Sequence, residues 1–204
     1  MPRDTKERIL EAALTIFSRE GYAATNLKEI ADAVGVVKSA FYRHYPSKEA
    51  VWNAVLDRME GYYNERFASP EHLPGIPQSC DELFAFTMRM VDFTIHDEKI
   101  ILTRKLLLTE QYHDERVKKL ATEHFLNGTK AIYKRVFEQM IENGLLIPGD
   151  AEMLAFAFTA PITTLIHYCD REPEREPEIM RQIEAFVRHF IESYGETENE
   201  HRNP

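Results

Sequence analysis

Lys38, Ser39, Tyr42, Arg43 and His44 place five hydrogen-bonding side chains in one short stretch, with Thr25 before it and Lys48 after it. Cations, hydroxyls and imidazoles of this kind donate to phosphate oxygens and to the edges of base pairs, which is the chemistry of nucleic-acid contact. Other stretches suggest catalysis but do not sustain it. His96-Asp97-Glu98 and His113-Asp114-Glu115 resemble metal or acid–base clusters. Adjacent residues on a helix point in different directions, however, so these side chains do not converge. No nucleophile motif and no glycine-rich phosphate loop occurs. Cys80 and Cys169 have no metal-binding spacing and exclude a disulfide framework, though not one bridge. The chain is therefore read as having no catalytic residue, metal site or cofactor.

The side chains at 38–44 need elements to hold them. A helix is expected over 6–20. Asp4 and Glu7 stand at capping-box spacing, and Ile9, Leu10, Ala13, Leu14 and Phe17 recur on one face. Gly21 suits a left-handed C-terminal residue. A second helix begins after Thr25-Asn26, either of which can cap it. It turns Leu27, Ile30, Ala31 and Val34 inward and ends at Gly35. The next helix, over 37–44, is two turns long and must be packed from outside, through Phe41 and Tyr45. Two short helices joined at Gly35 form a helix-turn-helix, whose second helix enters the major groove of DNA.

Beyond it, Ser47 caps a fourth helix whose stripe (Val51, Trp52, Val55, Leu56, Met59, Tyr63) runs to about residue 67. Residues 69–79, with Pro70, Pro74, Gly75 and Pro77, read as a loop. A helix over 80–96 is apolar nearly all round and is expected to be buried on most sides. A shorter one follows over 99–109. The longest helix is expected over 114–143, bent at Asn127-Gly128 and closed by Gly144. The last two fall over 151–170 and 178–194, with Pro161 expected to kink or split the first. No strand pattern or repeat is present. The fold class is all-α: a helix-turn-helix domain over 1–50, a larger helical domain over 51–195, and a disordered polar tail over 196–204.

A formal net charge of −9 is unusual for a nucleic-acid binder. Its distribution explains it. Residues 1–50 hold eight Lys/Arg against seven Asp/Glu, a balance of +1 that leaves −10 for the remainder. DNA would be met through the head alone, and a head so weakly basic needs a second copy beside it. The N-terminus shows no signal-peptide core, and no apolar run approaches the roughly 18 residues of a membrane helix. Together with two isolated thiols this predicts a cytoplasmic protein with no membrane partner.

Residues 5–52 resemble the N-terminal domain of the tetracycline-repressor (TetR) family of bacterial transcriptional regulators. The resemblance rests on Phe17, Gly21-Tyr22, Thr25, Ile30-Ala31, Gly35-Val36-Val37, Phe41 through Tyr45, and Ser47-Lys48-Glu49 in register. It departs at Val37, where the family has a capping Ser or Thr, and at Ser39-Ala40, where it has Gly-Thr. The resemblance implies phosphate contacts from Tyr42, His44 and Lys48. Lys38 and Ser39 would lie near base edges, Arg43 would take a base or a phosphate, and Thr25 a phosphate or a cap. It also implies a homodimer on a double-stranded operator. Ile183, Phe186, Phe190 and Tyr194 are the expected dimer interface, the alternative being that this surface closes the chain's own core. Met88, Phe93, Phe125, Phe158 and His167 are the candidate lining of a site for a small-molecule effector of unknown identity, although rings at helical spacing more often belong to a core and His167 more often is a satisfied core histidine. The function expected is a ligand-responsive regulator, most simply a repressor. The rival is an all-α ligand-binding protein or enzyme whose head contacts a partner protein.

Overall fold

The computed structural model describes residues 4–65 and 75–196. The expected end of the fourth helix near 67, most of the 69–79 loop and residues 197–204 of the tail lie outside the described residues. Among the described residues there is no strand, only an isolated bridge between Leu146 and Gly195. The chain divides by packing into two units, Met1–Leu73 with Glu98–Thr122, and Pro74–Asp97 with Glu123–Pro204.

The first unit holds α1 (Thr5–Ala24), α2 (Leu27–Val34), α3 (Lys38–His44), α4 (Lys48–Tyr63), α6 (Glu98–Glu110) and α7 (Glu115–Thr122). Several of its helix starts are set by side-chain caps. Asn26, not Thr25, caps α2 by accepting from the Lys28 N–H at 2.9 Å. Ser47 caps α4 by accepting from Ala50 N–H at 3.1 Å. Its core joins Ile9, Ala13 and Phe17 of α1 to Ile30 of α2, Phe41 of α3 and Val51, Val55 and Leu56 of α4, all essentially inaccessible. Leu106 and Leu107 of α6 are equally buried, and α6 packs along α1.

The second unit holds α5 (Cys80–His96), α8 (Gly128–Glu142), α9 (Ala151–Arg171) and α10 (Glu176–Tyr194). Rings fill its centre. Phe137 stacks on Phe190 at 5.4 Å, and Phe158 meets Phe190 at 4.6 Å and Tyr133 at 4.9 Å. The Tyr133 hydroxyl, fully enclosed, donates to Thr87 Oγ1 at 3.1 Å. That bond removes the cost of burying an unpaired hydroxyl.

The structure refines three expectations. The helix expected over 114–143 is α7, a π-helical turn (Glu123–Asn127) and α8. The wider turn shifts the register between the pieces, and α7 and α8 belong to different units. Pro161 lies inside an uninterrupted α9. Its ring nitrogen carries no hydrogen for the carbonyl of Ala157, four residues earlier and exposed. Finally, α5 is buried on most sides, through Leu83, Phe86, Thr87, Val91 and Ile95 and through the half-buried Phe84, Met88 and Met90, which also pack against the core. No described helix is long and apolar enough to cross a membrane, and Cys80 and Cys169 form no disulfide.

Candidate nucleic-acid interface

The turn between α2 and α3 is fixed by Gly35, whose φ of 69° and ψ of 32° are left-handed. Its N–H and that of Val36 close on the last turn of α2, Val36 donating to the Ala31 carbonyl at 3.0 Å. Arg8 of α1 reaches the Val34 carbonyl at 2.6 Å and ties the end of α2 to α1. From this corner α3 departs with Phe41 facing the core. Tyr45, just after the helix, is also buried, with its ring centroid 6.4 Å from that of Phe41. Anchored there, α3 turns Lys38, Ser39, Tyr42, Arg43 and His44 to solvent, all five exposed.

The structure thus brings the five recognition-helix candidates onto one exposed element. Lys38 Nζ lies 5.8 Å over the Tyr42 ring, one turn on. A surface groove of about 510 Å³ runs along α2 and α3, with Asn26, Lys28, Asp32, Lys38 and Tyr42 among its polar lining. Lys48 stands at the start of α4, where its ammonium donates to the Ala23 carbonyl at 3.1 Å and lies 4.5 Å over the Tyr22 ring. It is half-buried and held in place.

Thr25 is placed differently. It is 3% exposed, and its hydroxyl donates to the Gly21 carbonyl at 2.7 Å. It closes α1 rather than facing outward, because the chain must turn sharply there into α2.

Two contacts from distant sequence brace α4. Trp52 Nε1 donates to Asp114 Oδ2 at 2.9 Å, and Arg116 pairs with Asp57 at 2.6 Å and Glu60 at 3.1 Å. Burial pushes the Asp114 carboxyl up. The Trp52 bond and the N–H groups of Val117 and Arg116 outweigh it and hold Asp114 below its ordinary value. Sequence reasoning missed these braces, since nothing local in 98–122 points to the head.

The candidates in the second unit fare unevenly. Ile183 and Phe190 are corrected as interface residues: they are 0% and 4% exposed, packed within the chain's own core. The period of α10 turns Ile179, Ile183, Val187 and Phe190 to one inward stripe. Phe186 and Tyr194 are half-buried at its margin, against Phe158 and Phe190. What α9 does expose is Met153 and Phe156, at 61% and 45%, with Ala157 beside them. Their spacing was visible in the sequence, but the larger rings of α10 drew the assignment away.

Phe158 is corrected as a ligand contact, because it is fully buried among Tyr133, Phe137 and Phe190. Phe125, in the π-helical turn, meets His167 edge-on at 4.9 Å. Met88 and Phe93 are half-buried on α5. Next to Phe125, burial pushes His124 down to about 4. The triplet residue His96 is held above its ordinary value, first by its bond to Glu176 at 3.0 Å. Among the described residues no three His, Cys, Asp or Glu are grouped to hold a metal.

A helix-turn-helix head with an outward-facing second helix, on an all-α chain, defines a class of DNA-contacting folds. The head matches the family model of bacterial regulatory proteins of the tetR family over residues 9–55. The regulator YerO of Bacillus subtilis is 33% identical over 108 residues, covering 52% of this chain and 36% of that protein. The regulator AcrR of Shigella flexneri is 30% identical over 112 residues, covering 54% and 49%. The match thus spans half or less of those relatives' length. Among solved structures, a complex of SmeT with triclosan has a TM-score of 0.71 at 20% identity, covering 95% of this chain and 93% of that one. A regulator from Saccharomonospora viridis in complex with choline has a TM-score of 0.69 at 18% identity, covering 94% and 98%. These two share the all-α fold.

Proposed function

We propose that the chain is a ligand-responsive, DNA-binding transcriptional regulator, a repressor that a small molecule releases from its operator. The observation that carries this is the exposed row Lys38, Ser39, Tyr42, Arg43 and His44 on a two-turn helix whose position is fixed by the buried Phe41. In this reading Lys38 and Ser39 meet base edges. Tyr42, His44 and Lys48 hold phosphates and set the register, and Arg43 takes a base or a phosphate.

One such helix makes few contacts, so the regulator works as a homodimer reading two half-sites. The exposed apolar surface of α9, Met153 and Phe156 with Ala157, is the face we assign to the second copy, with Phe186 and Tyr194 at its edge. The relatives support a repressor, since SmeT is described as the repressor of a multidrug efflux pump. The triclosan and choline complexes support a small-molecule effector in the helical body, near Met88, Phe93, Phe125 and His167. Bound there, it would shift the population toward a state whose two heads no longer match successive grooves. Such a protein works in the cytoplasm.

A gel-shift titration with DNA from upstream of the chain's own gene tests this. A retarded band at low salt that weakens steeply as salt rises is expected. No band with that DNA or any neighbouring promoter overturns the reading.

A further inference from the structure

Val37 stands immediately before α3 with 69% of its surface exposed, the largest exposure of any large apolar side chain described in the head. At this position a hydroxyl or carboxylate would cap the helix, but Val37 makes no side-chain cap bond. Its backbone is nonetheless fixed, because its carbonyl accepts from Ala40 at 2.9 Å and Phe41 at 3.0 Å. A β-branched side chain on a fixed backbone has few rotamers, so the isopropyl group is presented rigidly. It borders the groove along α2 and α3 together with Ala31, Val36 and Phe41. The neighbouring Lys38 ammonium lies along the helix over the Tyr42 ring.

We propose that Val37 is a specificity-determining residue that packs its methyl groups on the 5-methyl group of a thymine in each half-site. This rests on the DNA-binding reading above. Valine has no hydrogen-bonding group for a phosphate or a base edge. Among the groups that base pairs present in the major groove, the thymine methyl is the apolar one. The contact is made by the side chain and draws nothing from the amides of the short helix behind it. It replaces a capping hydroxyl, which would favour no base, with a contact that selects one.

The test uses the full chain and replaces thymine by deoxyuridine, which removes the methyl group and leaves the hydrogen-bonding edge intact. Binding sites are first selected from random duplex DNA. Each thymine of the selected site is then replaced singly. Wild type is expected to lose about three- to fivefold in affinity at one thymine per half-site, the worth of one buried methyl. Val37→Ser should bind the thymine and deoxyuridine duplexes equally at that position. Circular dichroism melts show that the variant is folded, and Val37→Ala, keeping one methyl, should retain part of the discrimination. Indifference of wild type to deoxyuridine at every position overturns the proposal, as does full discrimination by Val37→Ser. Failure to enrich any sequence overturns the DNA-binding reading itself, so the two failures are distinct.

Discussion

Glu110 Oε1 accepts a hydrogen bond from the Tyr22 N–H at 3.0 Å and lies 2.6 Å from where a Cβ on Gly21 would stand. A buried carboxylate at the end of α6 thus reads the backbone at the end of α1 directly. Gly21 makes the approach possible twice over. It lacks a side chain, and it adopts φ 79° with ψ 166°, a combination close to glycine-only. Gly21→Ala is expected to lower stability by about 2–3 kcal/mol from that strain, with the clash adding to it. Glu110→Ala leaves the Tyr22 amide unpaired and should cost about 1–2 kcal/mol, while Glu110→Gln keeps an acceptor oxygen and should cost less. Urea unfolding midpoints check the order Gly21→Ala, Glu110→Ala, Glu110→Gln. An unchanged midpoint for Gly21→Ala would contradict the geometry.

Asp114 serves the head in two ways. It caps α7 through the N–H groups of Arg116 at 2.8 Å and Val117 at 3.1 Å, and it receives Trp52 Nε1. Asp114→Ala should therefore destabilise by about 2 kcal/mol or more, and Trp52→Phe, which loses the indole bond and leaves a cavity beside Phe17 and Tyr22, by about 2 kcal/mol as well. If the contacts are shared as described, the double variant loses less than the sum of the two. Strict additivity in thermal melts would show that Trp52 and Asp114 are not partners.

His124 supplies a pH dependence. Its folded value, about 4, lies below the ordinary 6.5 because burial disfavours the imidazolium. Between those values the unfolded chain binds a proton that the folded chain does not. The stabilisation is complete above about pH 6.5 and is lost as pH falls toward 4. The loss is at most about 3 kcal/mol, less as solvent reaches the half-buried ring. Chemical unfolding at pH 7.5 and pH 4.5 should show the drop in wild type and a smaller one in His124→Gln. Equal drops would remove His124 as its source.

The dimer assignment predicts a charge-sensitive face. Phe156→Glu, alone or with Met153→Glu, should convert a dimer at micromolar concentration into a folded monomer in sedimentation velocity. Ile183→Glu places a carboxylate in the core and should unfold the chain instead, since a buried unpaired charge costs several kcal/mol. A dimer that survives Phe156→Glu places the interface elsewhere.

The head was legible because each of its signals is local. Asn26, Gly35, Ser47 and the Phe41–Tyr45 pair act within one turn of where they stand, and the structure uses them as their positions imply. Thr25 misled because its outward reading depended on a hydroxyl that a backbone carbonyl four residues earlier takes up. Contacts across long separations left no such trace. Glu110 and Tyr22 are 88 residues apart, and Asp114 and Trp52 are 62. The inner and outer faces of α10 are both rich in large side chains. Periodicity found the stripe of Ile183 and Phe190, but it does not tell a chain's own core from a partner's.

The most direct measurement is fluorescence anisotropy of a labelled duplex, selected by the protein from random DNA and titrated with the wild type and with Lys38→Ala and Tyr42→Ala. Wild type should bind with an affinity that falls steeply with salt. Lys38→Ala should lose about tenfold or more on the selected site while binding unrelated DNA nearly as before. Tyr42→Ala should weaken both alike. Folded variants that bind as tightly as wild type, or a wild type that prefers no sequence at low salt, would contradict the claim that α3 reads DNA.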